Sequence, residues 1–305
     1  MEAARTEAQT PQLSDWRIRH QSTIDEARYN VRVFFKDKLA VAGLIIIVFT
    51  MVIALIGPWI APYPAQGRGD SNLSERLQAP SAKHLLGTDN YGRDVLSRVI
   101  YGARIPLVIS FVVTAAIVLI GVPIGGIAGY FGGRLDEVVM RICDVFLAFP
   151  SLVLAIVFVA FLGPSLRNAM IAIILSWWPW YTRLVRGMAV SLRERPYVEA
   201  AKTMGVGDFT IIARHILPNS FGPVIVQMTL DIGTVILAAA GLSFIGLGAQ
   251  PPVAEWGLMI SEGRDYILDQ WWIGAFAGLA IFILVLAFNL VGDGLRDVLD
   301  PRSKR

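Results

Sequence analysis

Residues 199–218 read E-A-A-K-T-M-G-V-G-D-F-T-I-I-A-R-H-I-L-P, a polar interruption between long apolar runs. Its local physics predicts two short helices. Pro196 suits a first helical turn, where its missing N–H leaves no bond unmade, and Gly205 suits the stop. Asp208 stands where it would cap a second helix, 209–217, that ends at Pro218. Two short helices joined at a glycine and set into an apolar chain read as a docking element for a partner at a membrane face.

The surroundings of this island fix the class. The chain has 305 residues, 55% hydrophobic and 17% charged, where a soluble protein carries roughly a quarter charged residues. The apolar residues collect into uncharged runs, each to be compared with the ~20 residues that cross hydrocarbon. Six such runs are predicted as spans: 39–61, within 105–131, 143–162, 168–182, 222–247 and 271–291. The fourth is short and carries Trp177-Trp178-Pro179-Trp180, and the fifth is interrupted by Asp231. The expected fold is an all-α polytopic membrane protein with six transmembrane helices and both termini on one side.

Charge predicts which side. Of the 27 Lys/Arg, nineteen fall in 1–38, 132–141, 183–214 and 293–305, and eight in 62–104, 163–167 and 248–270. The positive-inside rule then puts both tails and the 199–218 island in the cytoplasm. The predicted organisation is a cytoplasmic tail 1–38, a first span 39–61 and an extracytoplasmic segment 62–104. A transmembrane core 105–292 follows, with a cytoplasmic loop 183–220 and a tail 293–305.

Several functions are excluded on composition. The formal charge of +3 does not suggest nucleic-acid binding. Residues 1–38 have no apolar core, so they are not a signal peptide, and their acidic residues speak against a transit peptide. Residues 15–38 are predicted as a surface helix. The single cysteine, Cys143, forbids an intrachain disulfide and reads as a small buried hydrophobe. His20, His84 and His215 are scattered and form no metal set. No Gly-x4-Gly-Lys-Ser/Thr phosphate loop occurs, nor any Gly-Lys pair.

Glu199-Ala200-Ala201, three residues, Gly205, eleven residues and Leu217-Pro218 resemble the cytoplasmic signature of ABC-importer permeases. The family prefers an aliphatic residue where His215 stands, and the Arg214–Asn219 form, R-H-I-L-P-N, resembles the dipeptide, oligopeptide and nickel branch. Further blocks agree: Leu86-Gly87-Thr88-Asp89 with 92–98 and 102–104; 242–248 with Pro251-Pro252 and Trp256-Gly257; and 289–301. Together they resemble the C-type permease of dipeptide and oligopeptide importers over about residues 30–305. The resemblance implies a type I ABC-importer core of five spans plus one N-terminal span, in a bacterial or archaeal cytoplasmic membrane. It implies as partners a second, B-type permease, two cytoplasmic ATPases and an extracytoplasmic solute-binding protein. ATP and Mg would be bound by the ATPases, with no cofactor and no catalysis on this chain. Cargo would be dipeptides or oligopeptides, with nickel or glutathione as alternatives.

The resemblance places ATPase coupling on Glu199, Ala200, Ala201, Met204, Gly205, Asp208, Leu217 and Pro218. The candidate translocation path is Asp231, Gln227 and Trp180. A carboxylate at bilayer depth faces a cavity or a partner, so Asp231 reads either as a path residue or as a pairing with the second permease. Many relatives carry an acid seven positions later, where this chain has Ala238, two turns along the same face. Arg141 and Asp144 are spaced for an intrahelical ion pair. Pro179 either breaks the fourth span or sits in an aromatic interfacial anchor. Gly121, Gly125, Gly126 and Gly129 allow close helix packing, and Asp89, Arg93 and Asp94 either pair locally or receive the binding protein. An ion-gradient transporter would need several buried ionisable groups and repeat symmetry, and an intramembrane enzyme a catalytic set in its spans. Neither pattern is found.

Overall fold

The computed structural model describes residues 28–299. The outer parts of both predicted tails, including His20 and Asp300, lie outside them. Among the described residues the chain is helical, with an isolated bridge between Thr88 and Asp94 as its only β pairing. The main helices are α1 Lys38–Ile60, α2 Val95–Gly102, α3 Arg104–Phe131, α4 Gly133–Leu147, α5 Ser151–Leu162, α6 Leu166–Arg193, α7 Pro196–Thr203, α8 Leu217–Phe244, α9 Trp256–Gly263 and α10 Trp272–Leu299.

Four stretches are long and apolar enough to cross a membrane: Lys38–Ile60, Val95–Phe131, Asp208–Phe244 and Trp272–Leu299. The expected third span, 143–162, is not continuous. Pro150 has no N–H to donate and crowds the preceding residue out of helical geometry, so α4 stops at Leu147 and α5 leaves at 86°. Counted as one crossing, the pair makes a fifth. The expected fourth span, 168–182, is not among these stretches, so four or five of the six expected spans meet the length and apolarity of a crossing helix among the described residues. Residues 168–182 lie inside α6, which is 28 residues long, carries Arg167 and Arg183 at either end of its uncharged middle, and runs through Pro179 without a break.

Helix starts follow local chemistry. Asp37 accepts the Leu39 and Ala40 amides at the head of α1, Asp94 that of Ser97 at the head of α2, and Ser165 that of Asn168 at the head of α6. Asn168 also donates to the Leu162 and Gly163 carbonyls, closing the end of α5.

The core sits where α3 meets α6. Gly121, Gly125 and Gly129 recur at four-residue spacing and bring α3 against the α6 backbone. A Cβ at Gly121 would lie 2.7 Å from the Trp178 carbonyl oxygen, and one at Gly129 2.5 Å from that of Arg186. Around this seam pack Ile117, Ile173, Tyr181 and Val185, all essentially fully buried. The first helix docks the same way on the last one. A Cβ at Gly43 would meet the Ala287 carbonyl oxygen at 2.6 Å, and Gly294 receives Ala40.

The expected Arg141–Asp144 pair is absent. Asp144 instead pairs with Arg183 of α6, and Arg186 binds Asp136 through two bonds of 2.9 and 2.5 Å, so α4 is clipped to α6 rather than to itself. Cys143 is buried.

Replacing Gly125 by Val should separate α3 from α6 and cost about 1–3 kcal/mol or more, as overpacking does. Thermal unfolding of the detergent-purified chain should fall by several degrees, while Gly187→Val, where a Cβ meets open space, should change it little.

Candidate functional site

At one end of the bundle the 199–218 island forms a compact cap. Pro196 opens α7 at its first turn, and Gly205, at φ +78°, ends it. The Gly205 amide donates to the Lys202 carbonyl (2.9 Å) and the Val206 amide to that of Ala201 (3.1 Å), the double closure of a Schellman stop. One face of α7 turns inward: Val198 and Ala201 are buried with Tyr130, Ala189, Ile211, Ile212 and Ile216. The other is open. Glu199, Ala200 and Gly205 are exposed, as are two large apolar side chains, Met204 (77%) and Phe209 (73%). Of the expected coupling residues, Ala201 is therefore interior, and Leu217 is half-buried against Gly126 of α3.

The second half of the island departs from expectation in two ways. Asp208 is not a cap; it lies in the first turn, where its Oδ1 accepts the Tyr130 hydroxyl at 2.6 Å. Nor does the helix end at Pro218. A single α turn, Asp208–Ile211, widens into a π turn, Ile212–Ile216, and runs on into α8. Proline removes one ladder donor and pushes on the carbonyl four residues back. The π turn shifts the bonding to five residues just ahead of it, with the Leu217 amide donating to Ile212, and so makes room. Asn219 Nδ2 and Ser220 Oγ then donate to the His215 and Ile216 carbonyls (2.6 and 3.0 Å).

Tyr130 was not singled out in the sequence, yet it ties the island to the core. Its hydroxyl holds Asp208 and its ring lies 4.7 Å from the Lys202 ammonium, while Arg193 Nη1 donates to the Gly129 carbonyl beside it.

Halfway along α8 stands Asp231. Its Oδ1 accepts from Gln227 Nε2 at 3.0 Å, one turn earlier, and the buried Tyr181 hydroxyl of α6 lies beside it. Neither that hydroxyl nor Asp231 Oδ2 has a partner in hydrogen-bond geometry. Sequence spacing brings Gln227 to Asp231. It does not bring Trp180, which follows the helix outward, half exposed, while its neighbour Tyr181 turns in. Ala238 is buried. Thr234, exposed and three residues beyond Asp231, was missed, although its spacing was readable.

At the opposite end, residues 62–98 and 248–271 interlock. Asp89, Arg93, Asp94 and Arg98 are all buried. Arg93 binds Asp89 and Glu262 at 2.7 Å each, and Arg98 reaches Glu262 at 3.2 Å. The local pairing of Asp89 with Arg93 is thus present, and Asp94 caps α2. His84 is buried between Asp94 and Glu75, its nitrogens 2.9 and 3.2 Å from their carboxylates. The Lys83 ammonium holds the Glu75 carboxyl below the usual range, and Glu75 raises Lys83 in return. Burial pushes the Glu255 carboxyl up, against the Gly257 and Leu258 amides that draw it down as it caps α9. The Trp256 and Trp272 indoles donate to the Val99 and Thr88 carbonyls. Among the described residues no group of His, Cys, Asp and Glu is arranged to hold a metal.

Residues 121–305 match the family described as binding-protein-dependent transport system inner membrane component, and residues 27–80 the N-terminal transmembrane domain of oligopeptide transport permease C. The chain belongs to this permease family. It is 49% identical over 269 residues to the dipeptide transport system permease protein DppC of Alkalihalophilus pseudofirmus, covering 88% of each chain. To the probable D,D-dipeptide transport system permease protein DdpC of Escherichia coli it is 48% identical, covering 87% of this chain and 88% of that one. The glutathione transport system permease protein GsiD of Pectobacterium atrosepticum is 42% identical, over 94% of this chain and 95% of its own. Among solved structures, the inward-facing MetNI methionine ABC transporter shares the fold (TM-score 0.52, 20% identity, 66% of this chain and 96% of that one). The resemblance to ABC-importer permeases read from the sequence is thereby confirmed, and the protein is a multi-pass permease of this type.

Two measurements check the geometry of the permease. Tyr130→Phe should loosen the island by about 1 kcal/mol, the value of one such bond, seen as roughly fivefold faster hydrogen exchange of the α7 amides. Glu262→Ala should leave two buried guanidinium groups short of a partner and cost about 3 kcal/mol or more, read as a lowered unfolding temperature of the purified complex.

Proposed function

We propose that this chain is the C-type permease of a peptide importer, working beside a second permease, with two ATPases on the cytoplasmic face and a solute-binding protein outside. The observation that carries this reading is the open face of the island. Met204 and Phe209 are both exposed beside the Schellman stop, on an element whose inner face is packed into the bundle. Exposed large apolar groups on an ordered surface fit a partner, and α7 is long enough to seat in a groove.

The bias of Lys/Arg toward the island side supports placing it, and both termini, in the cytoplasm. Peptide cargo is supported by the names of the dipeptide relatives. The similarity to a glutathione permease over nearly the whole chain favours, as a second reading, glutathione, itself a short peptide. Energy would enter as ATP bound and hydrolysed by the ATPases. The permease would contribute no covalent chemistry. It would transmit the closing and opening of the ATPases to its membrane helices.

Gly205 tests the docking face. Alanine there meets no neighbour but must adopt a left-handed backbone, at a strain of about 1 kcal/mol, and should weaken coupling only partly. Gly205→Glu adds a charge to the docking surface and should abolish ATP-driven uptake in reconstituted vesicles while the chain still inserts and accumulates. Undiminished uptake by Gly205→Glu would sink the assignment.

A further inference from the structure

The permease reading leaves open what the membrane-embedded polar groups recognise. Gln227, Asp231 and Thr234 lie at i, i+4 and i+7 on α8, so they share one face. That face is not the packed one. Val224, Ile232, Val235, Ile236 and Leu242 turn into the core, whereas Gln227 and Asp231 are half-buried and Thr234 and Leu237 are exposed. On the neighbouring α10, Asn289 is also exposed and its side-chain oxygen approaches Gly233, extending the polar strip to a second helix.

A half-buried carboxylate in the middle of a 28-residue membrane helix is costly unless water or a partner meets it. No Lys, Arg or His among the described residues forms an ion pair with Asp231, whereas Asp136 pairs with Arg186 and Asp144 with Arg183. Its two neighbours, Gln227 and Tyr181, are neutral. Gln227 fixes Oδ1 by donating to it. The Tyr181 hydroxyl, fully buried, lies beside the carboxylate on the core side without hydrogen-bond geometry to it. Oδ2 is buried on the Tyr181 side and has no cationic partner within the chain. A carboxylate whose charge no cation of the chain offsets, set in a polar strip on an open helix face, draws a cation toward that face.

We propose that Gln227, Asp231 and Thr234, with Gln227 positioning the carboxylate, form a water-lined wall that receives a protonated amino group of the cargo during passage. This rests on the permease reading. A divalent metal is a poorer fit, since the strip offers one carboxylate and otherwise neutral oxygens and amides, too few charges to replace a metal's water shell. A lysine-bearing or N-terminal ammonium needs one carboxylate and two or three neutral acceptors, which the Asp231 and Thr234 oxygens and the Asn289 carbonyl side supply.

The test uses the reconstituted importer carrying Thr234→Cys. The parent complex, in which this chain's single thiol, Cys143, is buried, serves as the blank. The new thiol, one turn from Asp231, is modified with a cationic or an anionic methanethiosulfonate reagent of similar size. The cationic reagent should react about tenfold faster, the effect of one nearby charge in a cleft of low dielectric. Adding Asp231→Asn should bring the ratio near unity. In uptake, Asp231→Asn should lower transport of a lysyl dipeptide several-fold more than that of a glutamyl dipeptide, with the binding protein unchanged and the amount of assembled complex preserved. A Thr234→Cys thiol unreactive to both reagents would mean lipid or the second permease covers the strip, and would overturn the proposal. So would a charge preference, or a lysyl-to-glutamyl uptake ratio, that ignores Asp231→Asn. The chemical arm needs no ATP, binding protein or cargo. Failure of the permease reading would therefore show separately, as absent uptake by the unsubstituted complex with the modification ratio intact.

Discussion

The close approach of α3 and α6 is the constraint on which the rest of the chain depends. Three glycines one turn apart let two backbones touch, and no hydrophobic force between helices in lipid would hold them otherwise. Because α3 ends beside the island and α6 feeds directly into α7, that seam sets where the island sits. Because Tyr181 lies on α6, it also sets what stands behind Asp231. The clips from Arg183 and Arg186 to α4 then add the broken pair α4–α5 to the same frame.

The two ends of the bundle are built on opposite principles. At one end the contacts are apolar and shallow, with a cap that leaves Met204 and Phe209 in solvent. At the other, buried charges lock two separate segments together through Glu262, and indole N–H groups fasten them to backbone carbonyls. A buried ion cluster adds little net stability, since desolvation offsets most of its attraction. What it gives here is register, for Arg93 and Arg98 satisfy one carboxylate only if 86–98 and 253–262 meet in one arrangement.

Much of this was legible in the residues. The first and last spans, the Gly205 stop, the Pro196 start and the glycine seam follow from one-dimensional rules of length, capping and spacing. The misreadings share a cause: each assumed that a local signal decides a local structure. Pro150 does break its helix, but Pro218 does not end one, because α8 borrows a π turn and two side-chain donors; Pro179, left open in the sequence, is carried through by α6, which α3 holds along its length. Asp144 sits at ideal spacing from Arg141 and yet chooses Arg183, thirty-nine residues away in sequence, which only the fold brings near. Tyr130 and Tyr181 left no trace in the sequence at all, since a lone tyrosine in a membrane helix looks like any other interfacial aromatic.

The π turn before Pro218 has a mechanical meaning. It joins the island to α8 without a loop, so the stretch from Asp208 to Phe244 is one unbroken shaft, with Asp231 some 35 Å from its tip at 1.5 Å per residue. Widened bonding, a proline and a second proline at 223 thin the ladder at one level only. A shaft that is stiff everywhere but at its collar does not slide when its tip is pushed; it swings. A small sideways displacement at Phe209 would then reach the middle of α8 as a change of tilt, with the carboxylate of Asp231 carried along the arc.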